Sequence, residues 1–339
     1  YRLTGHEPAL DLAAGLVNRV MQDPMAFNKD GRWLTHHFHT NTGSLIGILD
    51  YALTINDTDL VAFVKNSYEF GKAAGEPLVG YYAEHIPGHA GTDGYELDND
   101  HTTCETCEVA DMLVLGVKLA RAGTVDYWED VDRCIRNQFV ENQITRPGWA
   151  ERFADDYEDS PYRTRNGPLQ LWEEEQDAVE RSLGSWAGWA LANDAHPQSL
   201  MQCCAGNAGR SMYYAWDSIV TRTGDEVQVN LHLNRASKWL DVDSHLPYEG
   251  KVVLKIKDAP LVAVRIPAWT ERNQVTCQVN GKKRDPLWAE SYIRVEGLTQ
   301  GDEITVEFPM REFTVFKEIG ERTYKLTVKG NTVINIDPE

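Results

Sequence analysis

The sequence lacks long hydrophobic runs and has little positive charge. No stretch of about 18 apolar residues is present, which excludes a transmembrane helix. The 339 residues include 33 lysines and arginines but 52 aspartates and glutamates, for a formal net charge of -19. Because nucleic-acid phosphates require a basic surface, this balance argues against a nucleic-acid partner.

The start of the sequence lacks the features of a secretory leader. There is no initiator methionine, no basic segment and no cleavage site, and a helical pattern begins soon after Tyr1. We therefore expect the chain to be the C-terminal part of a longer or processed protein, with a missing N-terminal segment ahead of Tyr1.

Length and hydrophobic period predict two domains. Single cores stop growing at roughly 250–300 residues, and this chain is longer. Up to about residue 222 apolar residues recur with helical spacing, for example between Leu45 and Ala52. From about residue 225 they alternate with polar residues, as between Val227 and Leu233. The sequence thus predicts a helical domain at 1–224 and a strand domain at 225–339.

The two predicted domains differ in architecture. Short, regularly spaced strands and the hairpin signal Asn280-Gly281 favour an antiparallel β-sandwich. The repeated helix–turn–helix pattern would suit a ring, or toroid, of helical hairpins, and a closed ring of six hairpins needs about twelve helices. Roughly seven helices are predicted, too few to close such a ring, so part of the toroid is expected to be missing from the chain. The predicted fold class is therefore an α+β multidomain protein.

Four of the six cysteines stand at the starts of two predicted helices, in CETC (104–107) and in the pair Cys203-Cys204. Helix N-termini favour thiolates, through the dipole and unpaired N–H groups. Thiolates combined with a carboxylate form a zinc site. The alternatives are disulfides or plain buried thiols, although a bridge between adjacent cysteines is strained.

The stretches YELDNDHTTCETCEVADM (95–112) and MQCCAGNAGR (201–210) resemble glycoside hydrolase family 127, the β-L-arabinofuranosidases. The resemblance implies an (α/α)6 barrel joined to β-sandwich domains, in line with the helix-then-strand pattern. It also implies a zinc-dependent enzyme whose partner is an oligosaccharide substrate. We expect such an enzyme to be secreted or periplasmic.

The resemblance also assigns roles to individual residues. The implied zinc ligands are Glu105, Cys107, Cys203 and Cys204. Cys203 matches the nucleophile, and Glu105 joins it among the expected catalytic residues because the zinc ligands would fix the angle of attack. Asn207 and Arg210 match polar positions on the following helix and are expected to bind substrate. The implied reaction is retaining glycoside hydrolysis with a thiolate nucleophile.

The acid/base residue departs from the family pattern. Counting back from Glu105 without gaps places His89 where the family has a glutamate. Histidine takes either protonation state near neutral pH, so His89 is the expected catalytic acid/base. Glu84, Asp93 or Glu96 would take this role if the loop is shifted.

A histidine group, THHFHTNTG (35–43), lies just before a predicted helix. We expect His37 and His39 to bind the sugar. A weaker alternative is metal ligation through alternate positions. The remaining alternative is that Thr40 or Asn41 caps the helix and the histidines have no functional role.

Three functions fit these features. The leading prediction is a zinc-dependent retaining exo-glycosidase acting on polysaccharide-derived oligosaccharides. The second is a zinc-dependent lyase or dehydratase on uronic-acid oligosaccharides, in which His89 moves the proton. The third is a non-catalytic carbohydrate-binding protein with a structural zinc.

Overall fold

The fold begins with helices and ends with strands. The computed structural model describes residues 1–86, 103–146, 148, 177–193, 201–320 and 322–338. The helices are α1 (Glu7–Met21), α2 (Phe38–Ile55), α3 (Thr58–Ala74), α4 (Thr106–Arg121), α5 (Trp128–Cys134), α6 (Ala178–Arg181) and α7 (Gln202–Ile219). A π-helical turn, Ile135–Phe139, continues α5. Within the described ranges, no helix combines the length and apolar character needed to cross a membrane.

The predicted helix signals hold at α3. Asp57 caps its N-terminus by accepting hydrogen bonds from two backbone N–H groups of the first turn, and Gly75 is the C-cap residue. Aspartate at the N-cap and glycine at the C-cap are both residue types favoured at these positions. Helix α2 is capped by the side chain of His37, whose ring nitrogen accepts the backbone N–H of Thr40.

Helix α4 lies at the centre of the helical part. It is buried along almost its whole length and packs against α2, α5 and α7. A helix that is apolar on all sides is expected in such a position. Glu108 and Asp111 in its first turns are nevertheless fully buried. Because buried charges require partners, these two carboxyl groups mark a polar region inside the helical part.

The described residues form sixteen strands, and all but the first two lie in the second part of the chain. They are β1 (Cys104–Glu105), β2 (Trp189–Ala190), β3 (Val220–Thr223), β4 (Glu226–Val229), β5 (Arg235–Ala236), β6 (Leu240–Ser244), β7 (Lys251–Ile256), β8 (Leu261–Arg265), β9 (Thr276–Val279), β10 (Lys282–Arg284), β11 (Leu287–Ala289), β12 (Tyr292–Glu296), β13 (Glu303–Glu307), β14 (Glu312–Ile319), β15 (Arg322–Lys329) and β16 (Thr332–Asp337). Strands β1 and β2 are the exception, since they form a small sheet among the helices.

Two larger sheets follow the last helix. A six-stranded sheet has the order β10-β9-β13-β7-β6-β5, and a five-stranded sheet has the order β11-β12-β8-β4-β3. Buried and accessible residues alternate along β4 and β7, as the period of two predicted. Asn280 and Gly281 both have positive φ in the β9–β10 hairpin, which is the geometry of the expected type I′ turn.

The strand part departs from a simple antiparallel sandwich at two places. Strands β4 and β8 pair in parallel. Strands β14, β15 and β16 form a separate three-stranded sheet, which contacts the π-helical turn. There the side-chain amide of Asn137 donates to the carbonyl of Asn331 at 2.9 Å and accepts from the N–H of Val333 at 2.8 Å. The sheet of β14–β16 is therefore hydrogen-bonded to the helical part.

Helix α7 ends at Ile219 and β3 begins at Val220, close to the predicted joint near residue 224. The helix-then-strand order is confirmed. The domain limits 1–224 and 225–339, the toroid and the sandwich packing stay predictions. Arg265, which is almost fully buried, joins the two parts through an ion pair of 2.7 Å with Glu129.

Candidate active site

Four short extended segments run side by side next to the N-terminus of α4. The N–H of Phe38 donates to the carbonyl of Glu84 at 2.8 Å, and the N–H of Glu84 donates to the carbonyl of Thr103 at 3.0 Å. On the far side, Glu105 in β1 pairs with Trp189 in β2. This arrangement brings residues from four distant stretches of chain to one place.

The two cysteine motifs meet at the starts of two packed helices. Glu105 is the N-cap residue of α4, and Cys107 lies in the first turn of that helix. Cys203 and Cys204 lie in the first turn of α7. Because α4 and α7 pack along each other, their first turns are adjacent. The distant motifs are thus brought together, as the zinc prediction requires.

We call Glu105, Cys107, Cys203 and Cys204 the Cys/Glu cluster; each has one ligand atom within 4.8 Å of the others. The Sγ atoms of Cys107 and Cys204 are 3.3 Å apart, and those of Cys203 and Cys204 are 3.8 Å apart. A disulfide requires about 2.05 Å between sulfurs. All six cysteines are free, so the disulfide alternative is wrong.

The Cys/Glu cluster has the dimensions of a tetrahedral zinc site. Zinc–sulfur bonds of about 2.3 Å and zinc–oxygen bonds of about 2.1 Å separate tetrahedral ligands by roughly 3.8 Å between sulfurs and 3.6 Å between sulfur and oxygen. Cys204 Sγ lies 3.3 Å from Cys107 Sγ, 3.8 Å from Cys203 Sγ and 3.4 Å from Glu105 Oε1. Three sulfurs and one carboxylate also suit the borderline-soft character of zinc.

Electrostatics in the cluster favours a cation. The hydrogen bond with Cys204, followed by burial, raises the pKa of the Cys107 thiol. The pKa of Cys204 is also raised, because burial and the Glu105 carboxylate together outweigh the lowering effect of its contact with Cys107. A divalent cation would offset this cost and hold the sulfurs as thiolates.

The members of the Cys/Glu cluster differ in accessibility. Glu105, Cys107 and Cys204 are buried, whereas Cys203 is exposed. Cys203 is also the only exposed cysteine among the six, all of which are described. Its sulfur is therefore the one that a ligand entering from solvent can reach.

Asn207 and Arg210 lie on α7, beyond the cysteine pair. The side chain of Asn207 lies close enough to the Cys107 sulfur to offset a small part of the rise in the pKa of that thiol. Arg210, which is half-exposed, donates from Nη2 to Asp111 Oδ1 at 2.9 Å. Both residues thus contact groups of the site. Their substrate-binding role stays a prediction.

His39 is held by the buried carboxylate of Asp111. Its Nδ1 lies 2.8 Å from Asp111 Oδ2, which also accepts the hydroxyl of Thr42 at 2.8 Å. The hydrogen bond to Asp111 raises the pKa of His39. Since Nδ1 is bound to the carboxylate and the side chain is partly exposed, Nε2 is left for a ligand.

His37 has a fixed tautomer. Its Nδ1 accepts the N–H of Thr40 at 3.2 Å, so in the neutral ring the proton is on Nε2. Burial lowers the pKa of His37, which favours that neutral form. Nε2 lies 4.0 Å from Glu84 Oε1. The alternative in which Thr40 or Asn41 provides the N-cap is wrong, because His37 provides it.

Sequence reasoning missed two acidic residues of the site. Glu108 accepts the N–H of His39 at 3.2 Å, and burial raises the pKa of its carboxyl group well above the ordinary value. Asp111 joins His39 to Arg210. The available signal was two acidic residues inside an otherwise apolar helix, which is unusual unless they have partners.

Of the four candidate acid/base residues, only Glu84 lies within the described residues. His89, Asp93 and Glu96 lie outside the described residues. Glu84 lies within them, beside His37 and Trp189, and its Oε2 accepts the indole N–H of Trp189 at 3.1 Å.

Comparison with known families agrees with the sequence motifs. Residues 223–310 match the family model described as "Beta-L-arabinofuranosidase, GH127 middle domain". The resemblance to glycoside hydrolase family 127 is therefore confirmed. A search of curated proteins by sequence found no match.

Solved structures extend the likeness to nearly the whole chain. Ara127N-Se, a GH127 β-L-arabinofuranosidase from Geobacillus stearothermophilus T6, is 18% identical, with a TM-score of 0.63 over 98% of this chain and 56% of that one. A structure described as a glycoside hydrolase is 17% identical, with a TM-score of 0.69 over 98% of this chain and 58% of that one. A GH127 β-arabinofuranosidase is 17% identical, with a TM-score of 0.67 over 98% of this chain and 54% of that one.

At these identities the likeness establishes the fold alone. The chain shares the fold of these glycoside hydrolases and spans a little over half of their length.

Proposed function

We propose that this chain carries the active site of a zinc-dependent retaining glycosidase, in a partial (α/α) toroid followed by a β-sandwich. Its substrates would be polysaccharide-derived oligosaccharides, and β-L-arabinofuranosides are the first class to test. The observation that carries the proposal is one exposed sulfur, Cys203, beside three buried zinc-type donors. A secreted or periplasmic location would suit such a substrate.

The four residues of the Cys/Glu cluster would hold the zinc ion. When bound, zinc would lower the pKa of the coordinated thiols and so keep Cys203 a thiolate at neutral pH. Asn207 would favour the thiolate of Cys107, since its side chain acts to lower the pKa of that thiol. These residues together would prepare a nucleophile that an isolated cysteine supplies only in small fraction at pH 7.

Cys203 Sγ would then attack the anomeric carbon, and the glycosidic C–O bond would break. Water would displace the sulfur in a second step at the same carbon. Two inversions give net retention of configuration. Glu105 would position the nucleophile through the metal, and His37, His39 and Arg210 would bind sugar hydroxyl groups.

Replacing Cys203 tests this proposal. Cys203→Ala should reduce hydrolysis of aryl β-L-arabinofuranosides by roughly 10³-fold or more, because the covalent route is lost. Cys277→Ala, which removes a thiol buried in the strand part, is the control and should keep full activity. NMR of the reaction should show that the sugar is first released with the same anomeric configuration as in the substrate. An inverted product, or full activity in Cys203→Ala, would contradict the proposal.

The same assay tests the lyase or dehydratase alternative on uronate-containing oligosaccharides. Hydrolysis adds one water to the products, as detected by mass spectrometry. A dehydratase removes one, and a lyase releases an unsaturated product without adding water.

A second candidate is a carbohydrate-binding protein with a structural zinc. The observation that favours it is that four protein donors are sufficient to close a tetrahedral shell. In that case Cys203→Ala would lose zinc and stability, and the native protein would bind arabinosides without turnover. The exposure of Cys203 favours the catalytic proposal, because buried ligands are typical of a structural site.

A further inference from the structure

Glu84 is fixed at the site by its backbone. The segment 83–86 lies between two other extended segments, and Glu84 itself accepts from Phe38 N–H and donates to the carbonyl of Thr103. A residue hydrogen-bonded to both neighbours has little freedom to move. The direction of its Cα–Cβ bond is thereby set relative to the Cys/Glu cluster.

The carboxyl group of Glu84 is held beside that cluster. Its Oε2 accepts from Trp189 Nε1 at 3.1 Å, and its Oε1 lies 4.0 Å from His37 Nε2. One oxygen of Glu84 lies within 4.8 Å of both Glu105 and His37. The side chain is about one-fifth exposed, so a ligand in the site can reach it.

The spacing of His37, Glu84 and Glu105 would also admit a second metal ion, but the hydrogen bonds argue against one. A ligating imidazole needs a lone pair on the nitrogen that faces the metal. The backbone N–H of Thr40 occupies the lone pair of Nδ1 in His37, so the neutral ring has a proton on Nε2, the nitrogen near Glu84. The Nε2–H of His37 therefore lies on the side of this carboxyl group, at 4.0 Å too far for a direct hydrogen bond.

We propose that Glu84 is the general acid and then the general base of the glycosidase. This inference rests on the proposed function, since it needs Cys203 as the nucleophile. In the first step the C–O bond breaks, the C–S bond forms, and the Glu84 carboxyl proton goes to the leaving oxygen. In the second step water attacks the anomeric carbon, gives its proton to the Glu84 carboxylate, and the thiolate leaves.

The other described carboxyl groups nearby are committed elsewhere. Glu105 belongs to the Cys/Glu cluster, with Oε1 3.4 Å from Cys204 Sγ. Glu108 is fully buried and cannot reach a glycosidic oxygen. Glu84 combines proximity to Glu105 with access to solvent and a hydrogen bond from the Trp189 indole that orients it. Trp189 is its positioning residue.

Covalent labelling of Cys203 separates the acid from the nucleophile. An arabinofuranose-configured cyclitol epoxide needs a proton on its oxygen for ring opening, whereas iodoacetamide alkylates a thiolate without an acid. Glu84→Gln should lower the rate of epoxide labelling by roughly 10²–10⁴-fold and leave iodoacetamide labelling of Cys203 unchanged. Intact-protein mass spectrometry and peptide mapping provide the readout. Glu141→Gln, an exposed carboxylate outside the cluster, is the control.

The outcomes are distinguishable. If the epoxide labels Glu84→Gln at the wild-type rate, Glu84 is not the general acid. Cys203 would still be the nucleophile. Loss of labelling in His89→Gln but not in Glu84→Gln would assign the acid to His89. Loss of both labels in Glu84→Gln would mean a structural role. No epoxide labelling of the wild-type protein would count against the proposed function itself.

Leaving-group dependence gives a second test. Glu84→Gln should hydrolyse alkyl arabinofuranosides roughly 10²–10⁴-fold more slowly, and 4-nitrophenyl arabinofuranosides with a smaller loss in the first step, because nitrophenolate leaves without protonation. Added azide should increase turnover of the nitrophenyl substrate and yield a glycosyl azide of retained configuration. Equal losses for both substrates without azide rescue would contradict an acid/base role.

Discussion

The Sγ atoms of Cys107 and Cys204 lie 3.3 Å apart, although 97 positions separate the two residues in the chain. This distance is too long for a disulfide and is close to the separation of two sulfurs on one zinc ion. Helices α4 and α7 hold both sulfurs at their first turns. The pair thus belongs to a group of possible metal ligands that the fold brings together.

Asp111 is expected to be important for stability as well as for the site. It is fully buried and accepts hydrogen bonds from His39, Thr42 and Arg210. Asp111→Asn would leave charged and polar partners unpaired, so we expect a loss of roughly 3 kcal/mol in the free energy of unfolding, measured with urea. The control is Asp225→Asn, whose side chain is 92% exposed and should change stability little. Equal losses in the two variants would contradict this account.

His232 should make stability depend on pH. Burial, followed by the positive charge of Arg265, lowers the pKa of His232 to about 3. In the unfolded chain the pKa is about 6.5, so between these values the unfolded state binds a proton that the folded state does not. The contribution of His232 to stability is therefore complete above about pH 6.5 and is lost as the pH falls toward 3.

The measurement is urea unfolding between pH 4 and pH 7. One titrating group can change the free energy of unfolding by about 1.4 kcal/mol per pH unit in this range. His232→Gln should therefore make the free energy of unfolding depend measurably less on pH. His245→Gln, which removes a partly exposed histidine, is the comparison and should keep the wild-type slope. If His232→Gln keeps the wild-type dependence of unfolding free energy on pH, the His232 imidazole is not held neutral in the folded protein.

Gly71 in α3 is required by close packing against Trp33. A Cβ atom at Gly71 would lie 2.5 Å from the Trp33 ring, and Trp33 is fully buried. Gly71→Ala should therefore cost roughly 1–3 kcal/mol. Gly47→Ala in α2 meets nothing within 4 Å and should stabilise the protein by about 0.5–1 kcal/mol. Thermal unfolding of both variants checks the opposite signs.

Features that depend on local chain chemistry could be predicted from the sequence. The cap at Asp57 and the hairpin at Asn280-Gly281 follow from the residues that form them. The CETC and Cys203-Cys204 motifs identified the Cys/Glu cluster because residue type determines metal chemistry. In each case a short stretch of sequence was sufficient.

Features that depend on the meeting of distant segments could not be predicted. The sequence named Glu84 only as an alternative to His89, because its place beside the cluster depends on backbone pairing of the segments at 36–38, 83–86 and 103–105. The parallel pairing of β4 with β8 has no local signal either. The attachment of β14–β16 to the π-helical turn has no local signal, because it depends on the contacts of Asn137 with distant residues.

X-ray absorption spectroscopy at the zinc edge, combined with metal analysis, tests the central claim most directly. The purified protein should contain about one zinc ion per chain, with roughly three sulfur ligands at about 2.3 Å and one lighter ligand at about 2.1 Å. Cys107→Ser should remove one sulfur ligand or most of the zinc, and Cys277→Ala should leave both unchanged. A protein without zinc, or zinc bound mainly by nitrogen and oxygen, would contradict the account.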